Sequence, residues 1–210
     1  MVKPHDSTIP DDRETRDRLL DAAQTVFLRR GTAKARTQEI ANEAGVNKAL
    51  LHYYFGTKAN LADAVFTRET TKLFPRIVGI LTSPDLPLDE KVRQVVAEQI
   101  DFHSARPYLA PYLISEMHTE PDRMQRLFGN AGPVPIDVLE AQLAKESAAG
   151  RIRPIGAQQF VASLMGLLIF PFVARPVLEV LIGLDADRFP AFIDERKRTI
   201  ADFFLAGLRP

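Results

Sequence analysis

The chain has 210 residues, no cysteine, and 27 basic against 27 acidic side chains, for a formal net charge of zero. Its length allows one large or two small domains with a real core, and 46% apolar residues is ordinary for a soluble globular protein. Without cysteine a disulfide framework and thiolate metal sites are excluded, which fits a reducing compartment, and a cytoplasmic location is expected.

Residues 1–10, MVKPHDSTIP, are polar, carry two prolines and lack the apolar centre of a signal peptide, so a flexible arm is predicted. From Asp11 the run DDRETRDRLLDAAQTVFLRRG places Leu19, Leu20, Ala23, Val26 and Phe27 on one helical face. Asp11 and Asp12 in its first turn and Arg29 and Arg30 in its last complement the helix dipole, and Gly31 is its stop.

The stretch TQEIANEAGVNKALLHYYFGTK, Thr37 to Lys58, reads as two short helices joined by a tight turn and followed at once by a third. Ile40, Ala41, Ala44, Val46, Leu51 and Phe55 are spaced to close one small core. Thr37 is expected to cap the first of these helices, Gly45 to supply the left-handed turn, and Asn47 to cap the second. This is the pattern of a helix-turn-helix, whose second helix enters the DNA major groove. Between Arg29 and Lys58 six Lys or Arg stand against two acids, so a chain of zero net charge carries a local basic footprint suited to phosphate.

The run IANEAGVNKALLHYYFGTKANL resembles the DNA-binding signature of TetR-type bacterial transcriptional regulators, and the match extends upstream through Leu19, Ala22, Ala23, Phe27 and Gly31. Position and resemblance together give a DNA-facing set of Arg36, Thr37, Asn47, Lys48, Ala49, Leu50, His52, Tyr53 and Lys58. Lys48 and Ala49 open the recognition helix, where residues reach base edges, and Leu50 is placed to touch a thymine methyl. Lys58 resembles the family's phosphate-contacting lysine. Tyr54 and Phe55 are expected to pack inward. His52 stands where the family usually has Tyr, and Ala49 where it often has Gly.

A helix is predicted from Thr57 to about Leu73, with Pro75 as its end or kink. The segment 81–87 is a loop, and Leu88 to Ala105 an amphipathic helix with Val92, Val95, Val96, Gln99, Ile100 and His103 inward. The middle stretch is aromatic, Met-containing and broken by Pro107, Pro111 and Pro121, and a short helix starts at Pro107 or Pro111. Two readings stand for its stripe: core, or the lining of a small-molecule pocket. The pocket reading takes His103, Tyr108, Tyr112, Glu116, Met117, Met124 and Phe128. His103, His118 and Glu116 lack metal-ligand spacing, and no catalytic motif occurs, so no metal, cofactor or enzymatic activity is expected.

A further helix is predicted from Ile136 to Ala149, with Val138, Leu139, Gln142 and Leu143 inward and Gly150 as its stop. The linker RIRPI resembles the connection before the penultimate helix of the same family. The apolar run from Phe160 to Ala174 is too short to span a membrane, and Pro171 and Pro176 are expected to kink or divide it. The last helix runs from about Asp187 to Ala206. In the resembled family the two final helices pair with those of a second subunit, which implies a homodimer through Leu164, Leu168, Phe172, Phe192, Ile200, Phe203 and Phe204.

The expectation is an all-α chain of about nine helices: a flexible arm (1–10), a helix-turn-helix domain (11–56) and a ligand-binding and dimerisation domain (57–210). Its partners are double-stranded DNA, a small-molecule effector and a second copy, with no membrane. The resemblance implies repression at a palindromic operator. The alternative is a helical ligand-binding protein or enzyme whose head does not bind DNA.

Overall fold

The computed structural model describes residues 12–122, 125 and 135–210, and within them every regular element is a helix. The chain divides into two compact units, one ending at Glu69 and the other starting at Thr70.

The first unit contains α1 (Asp12–Arg30), α2 (Thr37–Glu43), α3 (Lys48–Phe55) and the opening turns of α4 (Lys58–Thr82). Leu19, Ala23, Val26, Ile40, Ala41, Leu51, Leu61 and Val65 are fully buried and form its core. Ala44 and Val46, expected inside, are only half-buried because they flank the α2–α3 turn. That turn ends α2 by a Schellman motif: the Val46 N–H donates to the Ala41 carbonyl at 3.0 Å and the Gly45 N–H to Asn42 at 3.1 Å. Gly45 has φ +65°, a backbone that a side chain would strain. Tyr54 does not pack wholly inward, since its half-buried ring sends its hydroxyl to Asp12 at the start of α1, and that bond raises the Tyr54 pKa.

The second unit contains the rest of α4 with α5 (Leu88–Ser104), α6 (Leu109–Thr119), α7 (Asp137–Ala148), α8 (Ala157–Val173), α9 (Arg175–Ile182) and α10 (Phe189–Ala206). Pro75 does not end α4, which continues through it to Thr82. Proline inside a helix costs about 3 kcal/mol. Ile77 and Leu81, beyond it, are buried in the core, and burial is worth roughly 1.5–3 kcal/mol for each side chain, so the two outweigh the break.

Pro171 likewise stays inside α8. It has no N–H to offer the Leu167 carbonyl one turn back, and Arg196 of α10 donates there instead, Nη2 at 2.8 Å and Nε at 3.3 Å. The break falls at Ala174, after which Pro176 sits in the first turn of α9, where proline is tolerated, and the two helices meet at 75°. No single described helix is long and apolar enough to cross a membrane.

α5 lies against α10, flanked by Arg93 with Asp202 at 2.7 Å and Lys197 with Asp101 at 2.5 Å. Lys91 of α5 is fully buried and donates to the Leu81 carbonyl at 2.8 Å, so a cation meets the C-terminal end of α4, and burial lowers its pKa. Val138, expected inward on α7, is exposed, while Leu139 and Leu143 are buried and Gln142 donates to the Leu86 carbonyl at 2.9 Å. Glu140 of α7 accepts from the Ala157 N–H at 2.6 Å, giving the start of α8 the acceptor that its N-cap, Gly156, does not supply.

Candidate functional site

In the first unit the predicted recognition helix is α3. Asn47 caps it, with Oδ1 accepting from the Leu50 N–H at 2.9 Å. Leu51 and Phe55 anchor its inner face, so helical geometry turns Lys48, Ala49, His52 and Tyr53 outward together. Tyr53 is 77% exposed, and Leu50 is half-buried. The His52 Nδ1–H donates to the Gly56 carbonyl at 2.8 Å, which orients the imidazole across the end of the helix.

The N-cap of α2 falls on Arg36, whose side chain makes no capping bond, and Thr37 is the first helical residue rather than the cap. The local charge is also redistributed by folding. Arg29 pairs with Glu43 at 3.3 Å and Arg30 with Glu39 at 2.7 Å. Lys58 donates to the carbonyls of Thr32, Ala33 and Ala35 at 2.9, 3.1 and 3.0 Å, so all three ammonium protons hold the α1–α2 loop. Of the six basic residues counted from sequence, Lys34, Arg36 and Lys48 have no ion-pair or hydrogen-bond partner among the described residues.

In the second unit the candidate ligand residues separate. His103, Tyr112 and Glu116 are buried, Met117 is half-buried and Tyr108 is exposed at the N-cap of α6. Met124 and Phe128 lie outside the described residues. The His103 ring sits between Phe102, centroids 5.4 Å apart, and Phe172 at 5.2 Å. Burial, reinforced by the charge of Arg106, lowers the His103 pKa to about 4, so the ring is neutral at pH 7. One turn before it, Gln99 is buried with Nε2 donating to Met165 Sδ at 3.2 Å. A cavity of about 260 Å³ is bounded by Ser104, Pro107, Phe172, Arg175, Phe189 and Asp194 among others. His118, by contrast, donates locally to the Ile114 carbonyl at 2.8 Å. Among the described residues no cluster of three or more metal-ligating side chains occurs.

Residues 19–65 match the model of the bacterial regulatory proteins of the tetR family, covering all of α2 and α3 and the adjoining parts of α1 and α4. Over 201 residues, 93% of this chain and 92% of the other, the chain is 28% identical to the HTH-type transcriptional repressor NicS of Pseudomonas putida. The helix-turn-helix segment, residues 19–65, is of the tetR family. Over 106 residues it is 31% identical to the HTH-type transcriptional repressor SCO4008 of Streptomyces coelicolor, a stretch that spans about half that relative, 51% of its length. The likeness of fold extends through the body: the transcriptional regulator FadR from Bacillus subtilis, solved with stearoyl-CoA, superposes with a TM-score of 0.63 at 14% identity, over 92% of this chain and 99% of that one.

The predicted dimer residues divide between this chain's core and its surface. Leu164, Leu168, Phe172, Ile200 and Phe204 are buried in this chain's own core, and Phe192 is half-buried. Phe203 is 67% exposed. The large apolar side chains that remain outward on the last helices are Phe170 of α8, Phe203 of α10 and Val177, Val180, Leu181 and Ile182 of α9. Gln99 and Met165 were not among the site residues expected from sequence, and Phe172 was expected only at the dimer contact. The one available signal was Gln99 itself, a polar residue on a mostly apolar helix face, four residues before His103.

Proposed function

We propose that this chain is a TetR-family transcriptional repressor that binds a palindromic operator as a homodimer and is released by a small-molecule effector held in its body. The observation that carries the DNA reading is α3: a capped helix whose inner side chains are buried and whose outer ones, Lys48, Ala49, His52 and Tyr53, are presented together. Lys48 is the residue best suited to donate to guanine O6 and N7, and Lys34 and Arg36 to hold phosphates. The exposed Phe170 and Phe203 support a second copy covering the last helices, since large aromatic side chains left in water favour a partner that buries them. Release requires that the effector bind the non-DNA conformation better, because equal affinity for both states shifts nothing. α4 supplies residues to both compact units and is the element through which such a change would pass.

The test is selection from a random duplex library at near-physiological salt, using protein refolded from denaturant to strip any bound effector. A two-fold symmetric site should emerge with half-sites about one helical turn or a multiple apart. Lys48→Ala should weaken binding to it by about tenfold or more. Enrichment of no sequence by the refolded protein would overturn the repressor reading.

A further inference from the structure

We propose that the effector is an uncharged, mostly apolar molecule of about one ring whose hydroxyl group hydrogen-bonds to Gln99 and His103 in the seam between α5 and α8. The inference deepens the effector reading above and rests on it. Gln99 and His103 are 2% and 3% exposed and lie one turn apart on the buried face of α5. Gln99 Oε1 and His103 Nδ1 are buried and have no hydrogen-bond partner among the described residues. Buried polar atoms are nearly always satisfied, and two unsatisfied ones on adjoining turns of one helix face mark a place built for a polar group brought from outside.

The surroundings define the rest of that molecule. Met165 and Phe172 of α8 and Phe102 of α5 line the seam with polarizable, apolar surface. Sulfur is a weak acceptor, so the Gln99 amide turns its N–H toward Met165 and leaves its carbonyl oxygen to accept. A hydroxyl answers both unpaired atoms: its proton goes to one of them, and its lone pairs suit the imidazole in the tautomer that donates from Nδ1. The neutral imidazole offers no counter-charge to an anion, the Arg106 guanidinium whose charge reaches it is stacked over the Phe102 ring at 4.7 Å, and the fully buried Lys91 already donates to the Leu81 carbonyl. The 260 Å³ cavity shares Phe172 with this seam, and Arg175 and Asp194 give its lining one charge of each sign. Gln99 and His103 do not themselves line that cavity, so what it offers a ligand held by them is room beyond Phe172, and a volume just below the ordinary range for ligand pockets, about 300–1,000 Å³, suits no more than a single substituted ring.

The experiment uses the purified full-length protein and three probes of one shape: 4-propylphenol, its methyl ether and 4-propylbenzoate. Calorimetry should show the phenol binding about tenfold or more tighter than the ether, which cannot donate, and no binding of the anion. Gln99→Leu and His103→Phe should each bring the phenol's affinity down toward that of the ether, with the ether little changed. Gln99→Met, which keeps side-chain length, serves if either of those variants loses its helical circular dichroism. Equal affinity for phenol and ether, binding of the benzoate, no binding of the phenol, or undiminished phenol affinity in the variants would each overturn the inference. Operator binding by the ligand-free wild type separates the two readings. Intact operator binding without a phenol preference overturns the effector chemistry alone, and loss of both overturns the regulator.

Discussion

The helix-turn-helix unit and the body are built from the same kind of element but held by different kinds of bond. In the first unit the decisive contacts join residues close in sequence: the Schellman turn at Gly45, the Asn47 cap, and the tie from His52 to Gly56. In the body they join residues far apart: Arg196 to Leu167, Glu140 to Ala157, Lys197 to Asp101. A head closed by local bonds can present α3 as a preformed surface. A body whose helices are tied by distant polar groups has interior positions, such as Gln99 and His103, where a ligand can compete with packing.

The largest expected effect tests the body. His103 is neutral in the fold with a pKa of about 4, against 6.5 when unfolded. The unfolded chain therefore takes up a proton that the folded chain refuses, and the contribution present above pH 6.5 is lost as pH falls toward 4. The loss amounts to about 3 kcal/mol at most. Urea denaturation across that range should show it, and His103→Phe should flatten that part of the pH dependence. An unchanged slope in the variant would mean that other groups govern acid stability.

Next is the proline and arginine pair. Arg196→Met should cost about 1–3 kcal/mol by leaving the Leu167 carbonyl unpaired. Pro171→Ala restores the missing N–H, so the double variant should recover much of that loss, and a double-mutant cycle by chemical denaturation measures the coupling. Simple additivity would break the account of α8.

Lys58 sharpens the contrast from the other side, because it is one of the head's long-range ties, as the Tyr54 bond to Asp12 is. Lys58→Met should destabilise the protein by about 1.5–3 kcal/mol without DNA present, the range for hydrogen bonds to a charged group. If it contacted only phosphate, thermal unfolding of the free protein would not move while operator affinity fell. The smallest effect belongs to Gly45→Ala. No atom lies within 4 Å of the added methyl, so the cost is left-handed backbone strain alone, about 1–2 kcal/mol by denaturant titration.

Much of the head was legible in the chain because its signals are local. Asn47 and Gly45 act within a few residues of themselves, so their types and spacing suffice to place cap and turn. Thr37 shows the margin of such reading: the helix start shifted by one residue, and the cap moved to Arg36. The charge count was legible, but not its distribution, because salt bridges to Glu39 and Glu43 and the Lys58 bonds depend on which helices meet.

Sequence by itself determined an all-helical chain, the helix-turn-helix and the inward face of α5. Helix periodicity and capping are properties of the backbone over a few residues, and they survive whatever packs around them. Only the tertiary structure decided that α4 and α8 run through their prolines, that most of the predicted dimer residues lie in this chain's own core, and that Gln99 Oε1 and His103 Nδ1 find no partner among the described residues. Each of these depends on burial, which is a property of the neighbours a helix acquires rather than of its own residues. A proline is tolerated when distant apolar contacts outweigh the lost bond, and a Phe faces a partner only if its own chain has not already covered it.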